Sequence, residues 1–156
     1  MQQVLVVLFS YAGINKIIGR LADLLSEDDS LFVVGVVIQE ISPTFSSLIS
    51  DLGFLGDKVV SDVQEAVGNI YQENAARHLE DIKDEFNRQG IDVVKKKVDD
   101  DNLAIIDNLQ SEKELDKIII NYTNNKYITH SVIDTKVKEI LNKKEISAEI
   151  YYDGIK

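Results

Sequence analysis

The residues best suited to bind a ligand lie in one polar stretch that follows an aliphatic run, Ile118-Ile119-Ile120. The stretch carries two asparagines, Asn121 and Asn124, and further along an aspartate and a threonine, Asp134 and Thr135. The aliphatic run has the composition of a central strand of a parallel sheet, and the carboxyl end of such a strand is where an α/β protein binds its ligand. We therefore expect any ligand to lie against this polar stretch.

The same stretch contains the components of a hydrolytic triad, Ser131, His130 and Asp134. Triads are built from segments that converge in space, and neighbours in sequence rarely have that geometry. Ser131 or Thr129 instead suits the cap of the following helix, because its hydroxyl can accept a hydrogen bond from a free backbone N–H. We predict no catalytic residues here and do not expect an enzyme.

Two other polar features could suggest chemistry, but neither has a suitable pattern. His78 lies in a helical stretch, and a single histidine does not make a site. The run Asp99-Asp100-Asp101 lacks the alternating ligands and the glycine turn of a calcium loop. We interpret Asp100 or Asp101 as the cap of the next helix, where a carboxylate stabilises the positive end, and we predict no metal site.

Composition excludes several classes of function. The net charge of −10 and the single short basic run, Lys95-Lys96-Lys97, argue against binding to a nucleic-acid backbone. The absence of cysteine rules out disulfides and thiolate chemistry. The apolar runs are shorter than the ~20 residues of a membrane helix, and residues 1–7 lead into a strand without a basic segment. We expect a cytoplasmic protein that binds neither membranes nor nucleic acids.

Strand-like and helix-like segments alternate along the chain. Apolar or alternating patterns predict strands at residues 4–9, 31–38, 91–98, 118–120 and 147–152. Apolar residues at helical spacing predict helices between most of them, including a long one at 57–89 that ends before a left-handed Gly90. This order predicts one domain over residues 1–156, an α/β three-layer sandwich with a five-stranded parallel sheet flanked by helices.

Three segments carry less regular patterns. The mixed composition of residues 91–98 and the alternation in 147–152 place both strands at or near a sheet edge. Residues 42–56 contain the one proline and several large apolar side chains. We interpret them as a flap packed over the open end of the sheet, and a lid on an apolar ligand or a partner surface remains the alternative.

The element order resembles the universal stress protein family, of the adenine-nucleotide α-hydrolase-like type, over nearly the whole chain. The resemblance rests on the long helix after the second strand and on the closing pattern of apolar strand, polar loop, SVIDTKVKEIL helix and short final strand. It implies a role in stress response or regulation. It also implies a homodimer formed by antiparallel pairing of the last strands, here the region of Ala148, Ile150 and Tyr152.

Family members that bind ATP carry an aspartate at the end of the first strand and the pattern G-x2-G-x9-G-[ST] after the fourth. The positions that match this ATP site, counted without gaps, are Phe9 for the aspartate, its neighbour Ser10, Ile38 after the second strand, Asn121, Asn124 and Asp134 for the glycines, and Thr135 for the hydroxyl. The spacing of this pattern is kept, but its three glycines are replaced by other residues.

This change of residue type predicts a degenerate nucleotide-binding loop. Glycine lets backbone N–H groups approach phosphate oxygens, whereas an asparagine side chain occupies that space. Asp134 would add a negative charge, and two unit charges ~4 Å apart repel by about 4 kcal/mol at an effective dielectric of 20. Phe9 also removes a carboxylate. We therefore predict a protein without ATP or another cofactor.

Two ligand-binding alternatives stay open. The first is an ATP- or AMP-binding switch of the same family, in which Asn121, Asn124, Thr129, Ser131 and Thr135 supply polar contacts. The second is FMN binding, because the turn FSYAGIN resembles a flavodoxin phosphate loop at a helix amino terminus. One short turn is a weak signal for flavin binding, since flavodoxins need two further loops around the ring.

Overall fold

A computed structural model describes residues 1–37, 51, 53–123, 131–143 and 146–156. Within these residues the elements are β1 (Gln3–Leu8), α1 (Ile14–Leu24), β2 (Ser30–Val37), α2 (Asp57–Asn87), β3 (Asp92–Asp99), α3 (Ala104–Glu112), β4 (Lys117–Tyr122), α4 (Ser131–Asn142) and β5 (Ser147–Tyr152). The strand segments and the long helix predicted from periodicity are therefore confirmed, with end points that differ by at most two residues.

The five strands form one parallel sheet in the order β3-β2-β1-β4-β5. The predicted five-stranded parallel α/β architecture is thus confirmed, and the two strands predicted at edges, β3 and β5, occupy the two edges. β1 lies at the centre, and every residue from Val4 to Leu8 is fully buried. Burial on both faces explains why this strand reads as one continuous apolar run.

Helices cover both faces of the sheet and divide the core into two clusters. On one face, Val4, Val6 and Leu8 of β1 pack with apolar residues of α1 and α2. On the other face, Leu5 and Val7 pack with those of α3 and α4. Successive side chains of a strand point to opposite faces, so β1 supplies both clusters. This is the three-layer sandwich expected from the sequence.

The long helix α2 contributes fully buried side chains to the core from one half of its length only. Its buried side chains are Ala75, Leu79, Ile82 and Phe86, all in its carboxyl half. The predicted left-handed end is confirmed, since Gly90 has a φ of 78° and the Ile91 N–H donates to the Phe86 carbonyl at 3.1 Å. The amino half contributes no fully buried residue, although Tyr71 packs against the core at its end.

The start of α3 corrects one part of the sequence interpretation. The predicted cap of α3 at Asp100 or Asp101 is wrong, because the helix begins at Ala104 with Leu103 as its cap residue. The Asp100 N–H donates to the Val37 carbonyl of β2 at 3.0 Å. Asp100 is therefore still hydrogen-bonded to the sheet and cannot cap a helix that begins at Ala104.

Most of residues 42–56 lie outside the described residues. The structure describes residue 51 and a short 3-10 helix, Gly53–Leu55, in which the Phe54 side chain is 82% exposed. In the described part of the chain, no helix has both the length and the apolar composition needed to cross a membrane.

Candidate crevice at the switch point of the sheet

The carboxyl ends of β1 and β4 define the topological switch point of this sheet. The chain leaves β1 for α1 on one face and β4 for α4 on the other, which opens a crevice between the two strand ends. The Phe9 and Ser10 N–H groups both donate to the Asn121 carbonyl, at 2.9 and 3.2 Å. The structure therefore brings together three residues predicted to form a ligand site.

The Asn121 side chain is completely buried and uses both ends of its amide within the protein. Its Nδ2 donates to the Ser10 carbonyl at 2.9 Å and to the Ala12 carbonyl at 3.0 Å. Its Oδ1 accepts a hydrogen bond from the Gly154 N–H at 2.9 Å. The amide therefore connects the turn after β1 to the turn after β5, and no donor or acceptor site of it faces an open crevice.

The turn after β5 places a carboxylate inside the same crevice. Asp153 accepts hydrogen bonds on its two carboxylate oxygens from the Ser10 hydroxyl at 2.9 Å and the Thr123 hydroxyl at 3.0 Å. The Asp153 N–H donates to the Tyr122 carbonyl at 2.7 Å, which extends the pairing of β5 with β4 by one residue. The Ser10 and Thr123 hydroxyls, at the ends of β1 and β4, could bind the anion of a ligand. In this structure they bind the Asp153 carboxylate instead.

Backbone contacts between the two turns are close enough to require glycine. A Cβ added at Gly13 would lie 2.0 Å from the Asp153 carbonyl oxygen, and one added at Gly154 would lie 2.4 Å from the Gly13 carbonyl oxygen. Both glycines also have left-handed φ angles, 69° and 84°. The turn at Asp153 and Gly154 therefore packs directly against the turn before α1 and fills the crevice.

The aromatic residue at the predicted aspartate position faces the core instead of the crevice. Phe9 is 2% exposed and meets Tyr122 edge to face, with ring centroids 5.9 Å apart. The Tyr122 hydroxyl in turn donates to Asp134. Asp134 and Thr135 lie in the first turn of α4, and Thr135 is exposed. The Asp134 carboxylate is thus a partner of a buried tyrosine.

Several residues of the predicted sites lie outside the described residues. These are Ile38 and Asn124 of the ATP-site positions, together with Thr129 and His130. The structure accordingly joins Phe9, Ser10, Asn121 and Asp134 through hydrogen bonds and ring contacts, and it gives no geometry for a triad that includes His130. Sequence reasoning missed Thr123, Asp153 and Gly154. The Asp-Gly pair after the last strand signals a tight turn, but not where that turn packs.

A second depression lies beside the crevice, between the carboxyl ends of β1 and β2 and the middle of α2. It encloses about 270 Å³. The Tyr11 hydroxyl donates to the Val36 carbonyl at 3.2 Å, and its ring stacks on His78 with centroids 5.4 Å apart and planes 8° from parallel. Burial raises the pKa of Tyr11, and burial followed by the charge of Arg77 lowers the pKa of His78. Both side chains are therefore uncharged near neutral pH.

Comparisons with known proteins identify the fold through solved structures. The hypothetical protein MJ0577 matches with a TM-score of 0.59 and 14% identity over 97% of this chain and 95% of that one. The universal stress protein UspA from Lactobacillus plantarum matches with a TM-score of 0.51 and 11% identity over 96% of this chain and 97% of that one. No protein-family model and no curated protein sequence matches the chain. The predicted fold resemblance is confirmed, and identities this low concern the fold alone.

Proposed function

We propose that this chain, which has the fold of the universal stress proteins, is a cytoplasmic, dimeric regulatory protein of stress response that does not bind ATP. One observation carries the proposal. The crevice at the switch point, where this class of α/β sheet binds its ligand, is filled by the chain's own Asn121 amide and Asp153 carboxylate. Regulation would then act through protein contacts rather than through a bound nucleotide.

Electrostatics supports the same conclusion. A triphosphate placed in the crevice would have to displace the Ser10 and Thr123 hydroxyls from Asp153. It would also bring negative charge close to the Asp153 carboxylate, and two unit charges ~4 Å apart at an effective dielectric of 20 repel by about 4 kcal/mol. That energy is equivalent to a loss of affinity on the order of a thousandfold.

The dimer is proposed through the free edge of β5. The Asp153 N–H points to β4, whereas the Tyr152 N–H points away and pairs with the Ile155 carbonyl at 2.7 Å. Because N–H directions alternate along a strand, those of Ala148 and Ile150 point to the free edge. Such an edge can pair with a second copy, and Ile155 already covers its last position.

Calorimetric titration with Mg-ATP and with AMP tests the proposal directly. We expect no binding tighter than about 10 μM, a free energy of nearly 7 kcal/mol. Tighter binding would reject the proposal and assign the nucleotide-switch alternative to the crevice.

A variant series identifies what closes the site. We expect Asn121→Gly, Asn124→Gly and Asp134→Gly together to leave ATP unbound, because Asp153 remains in the crevice. Adding Asp153→Asn removes the charge and keeps a residue that tolerates a left-handed φ, here 52°. If the triple variant alone binds ATP, the glycine positions rather than the carboxyl-terminal turn block the site.

A further inference from the structure

The depression beside the crevice, here called the α2 groove, is lined by four aromatic rings among the described residues, with three polar side chains at its wall. Phe9 and Val36 contribute from the ends of β1 and β2, Tyr11 from the following turn, and Tyr71 and His78 from α2. Tyr71 and His78 lie seven residues apart and so share one face of the helix. These residues belong to different elements, so the groove is a product of the tertiary structure.

The size of the α2 groove limits its occupant. Its volume of about 270 Å³ is close to the lower end of the range for ligand pockets, roughly 300–1,000 Å³. A cavity of roughly 150 Å³ is enough to admit benzene. The groove therefore suits a molecule with one ring and a substituent, or with two fused rings.

The groove wall next to β2 is held in place before any ligand arrives. The Tyr11 ring is fixed by its bond to the Val36 carbonyl and by its stacking on His78. Gly35 makes this possible, because a Cβ there would lie 2.8 Å from the Tyr11 hydroxyl oxygen and 2.9 Å from Leu79. A preformed aromatic wall binds a flat ring without the entropy cost of ordering its side chains.

One cation at this aromatic surface forms no ion pair with any described residue. Arg77 lines the groove, and its guanidinium donates to the Asn74 side-chain oxygen at 3.2 Å. In the described part of the chain Arg77 forms no ion pair, whereas Arg20 pairs with Glu149 and Arg88 with Glu85. In a chain of net charge −10, an arginine that pairs with none of the described carboxylates and lies beside aromatic rings is suited to bind a carboxylate ligand.

We propose that the α2 groove binds a small aromatic carboxylate, with its ring between Tyr11 and Tyr71 and its carboxylate on Arg77. The Tyr71 hydroxyl forms no hydrogen bond with any described residue and can donate to the same ligand. This inference goes beyond the proposed function and does not depend on it. Ser10 borders both sites, but the ligand contacts proposed here, Tyr11, Tyr71 and Arg77, are not among the groups that fill the crevice.

Titration of the full chain with 2-naphthoate, followed by naphthalene fluorescence, tests this inference. We expect saturable binding, and binding at least tenfold weaker for 2-naphthylmethylamine, which has the same rings and the opposite charge. We expect Arg77→Gln to weaken 2-naphthoate binding about tenfold, the loss of one charge-assisted hydrogen bond. Arg88→Gln is the matched control, because Arg88 lies on the same helix outside the groove and should leave binding unchanged.

Three results would overturn the inference. They are an absence of saturation with 2-naphthoate, equal affinity for the amine, and equal affinity in Arg77→Gln and in the unmodified chain. The test is separate from that of the proposed function, because Mg-ATP is titrated first alone and then in the presence of 2-naphthoate. If Mg-ATP binds tightly and the 2-naphthoate affinity is unchanged, the proposed function is rejected, and the assignment of the groove to an aromatic carboxylate is supported. Displacement of 2-naphthoate by Mg-ATP overturns the groove's assignment to an aromatic carboxylate.

Discussion

The Asn121 side-chain oxygen accepts a hydrogen bond from the Gly154 N–H at 2.9 Å, and this bond joins the end of β4 to the turn after β5. The nitrogen of the same amide binds the Ser10 and Ala12 carbonyls. One buried side chain therefore holds together the three segments that meet at the switch point.

Replacing Asn121 by alanine should destabilise the protein by roughly 2–4 kcal/mol. The variant loses three buried hydrogen bonds and leaves their backbone partners unsatisfied, at about 1 kcal/mol or more for each. Urea unfolding followed by circular dichroism measures the change. Asn15→Ala is the control, since Asn15 is exposed on α1 and its loss should change stability by less than about 0.5 kcal/mol. A small effect at Asn121 would mean that the three bonds contribute little.

Replacing Gly154 by alanine should also destabilise the protein, by about 2 kcal/mol or more. Alanine is strained at a φ of 84°, and its Cβ would overlap the Gly13 carbonyl oxygen at 2.4 Å. Gly19→Ala is the opposite case, because Gly19 lies in α1 with no atom within 4 Å of an added Cβ. That variant should be more stable by roughly 1 kcal/mol. Thermal unfolding of both variants gives the comparison, and equal effects would contradict it.

Stability should fall in acid because of Glu149, which is buried on β5. A two-point bond from Arg20, at 2.7 and 3.1 Å, and a bond from Lys117 at 3.0 Å outweigh burial and lower the pKa of Glu149 to about 2, from 4.5. A lowered pKa stabilises the folded state above the unfolded pKa, so this contribution is complete above pH 4.5 and is lost as the pH falls towards 2.

The Glu149→Gln variant isolates this contribution. Its free energy of unfolding should be lower than that of the unmodified chain at pH 7 and should depend less on pH between 4.5 and 2. Urea titrations at several pH values in that window measure the slope. Glu85→Gln, which removes an exposed ion pair with Arg88, should keep the slope of the unmodified chain. Parallel slopes in Glu149→Gln and the unmodified chain would show that other groups control the acid response.

Light scattering tests the proposed dimer, for which we expect a mass near 35 kDa, twice the 17.5 kDa of the chain. Ala148→Pro should shift the mass towards the monomer, because proline removes an N–H directed to the free edge of β5. Ala148→Gly keeps that N–H and is the matched control. A monomer mass for the unmodified chain at all concentrations, or a dimer in Ala148→Pro, would contradict pairing through this edge.

Single positions of the candidate site could be predicted from the sequence, whereas contacts between residues far apart in the sequence could not. The spacing that singled out Asn121 and Ser10 identified two residues that meet in the crevice. Asp153 was missed, although it bonds to Ser10 across 143 residues of sequence. Glu149 has the alternation of a solvent-facing residue, yet it is buried against Arg20, 129 residues away. A pattern of polarity describes a residue and its neighbours, and it cannot report which distant partner will satisfy a buried charge.

The sequence by itself determined the element order, the parallel sheet and the two edge strands of this protein. These properties follow from apolar composition and periodicity, which act over a few residues and are therefore readable in one chain. Only the tertiary structure decided that the switch-point crevice is filled from within and that Arg77, Tyr11 and Tyr71 line one groove. The physical reason is that hydrogen bonds and close packing between distant segments depend on how the sheet and its helices are assembled, which local patterning does not encode.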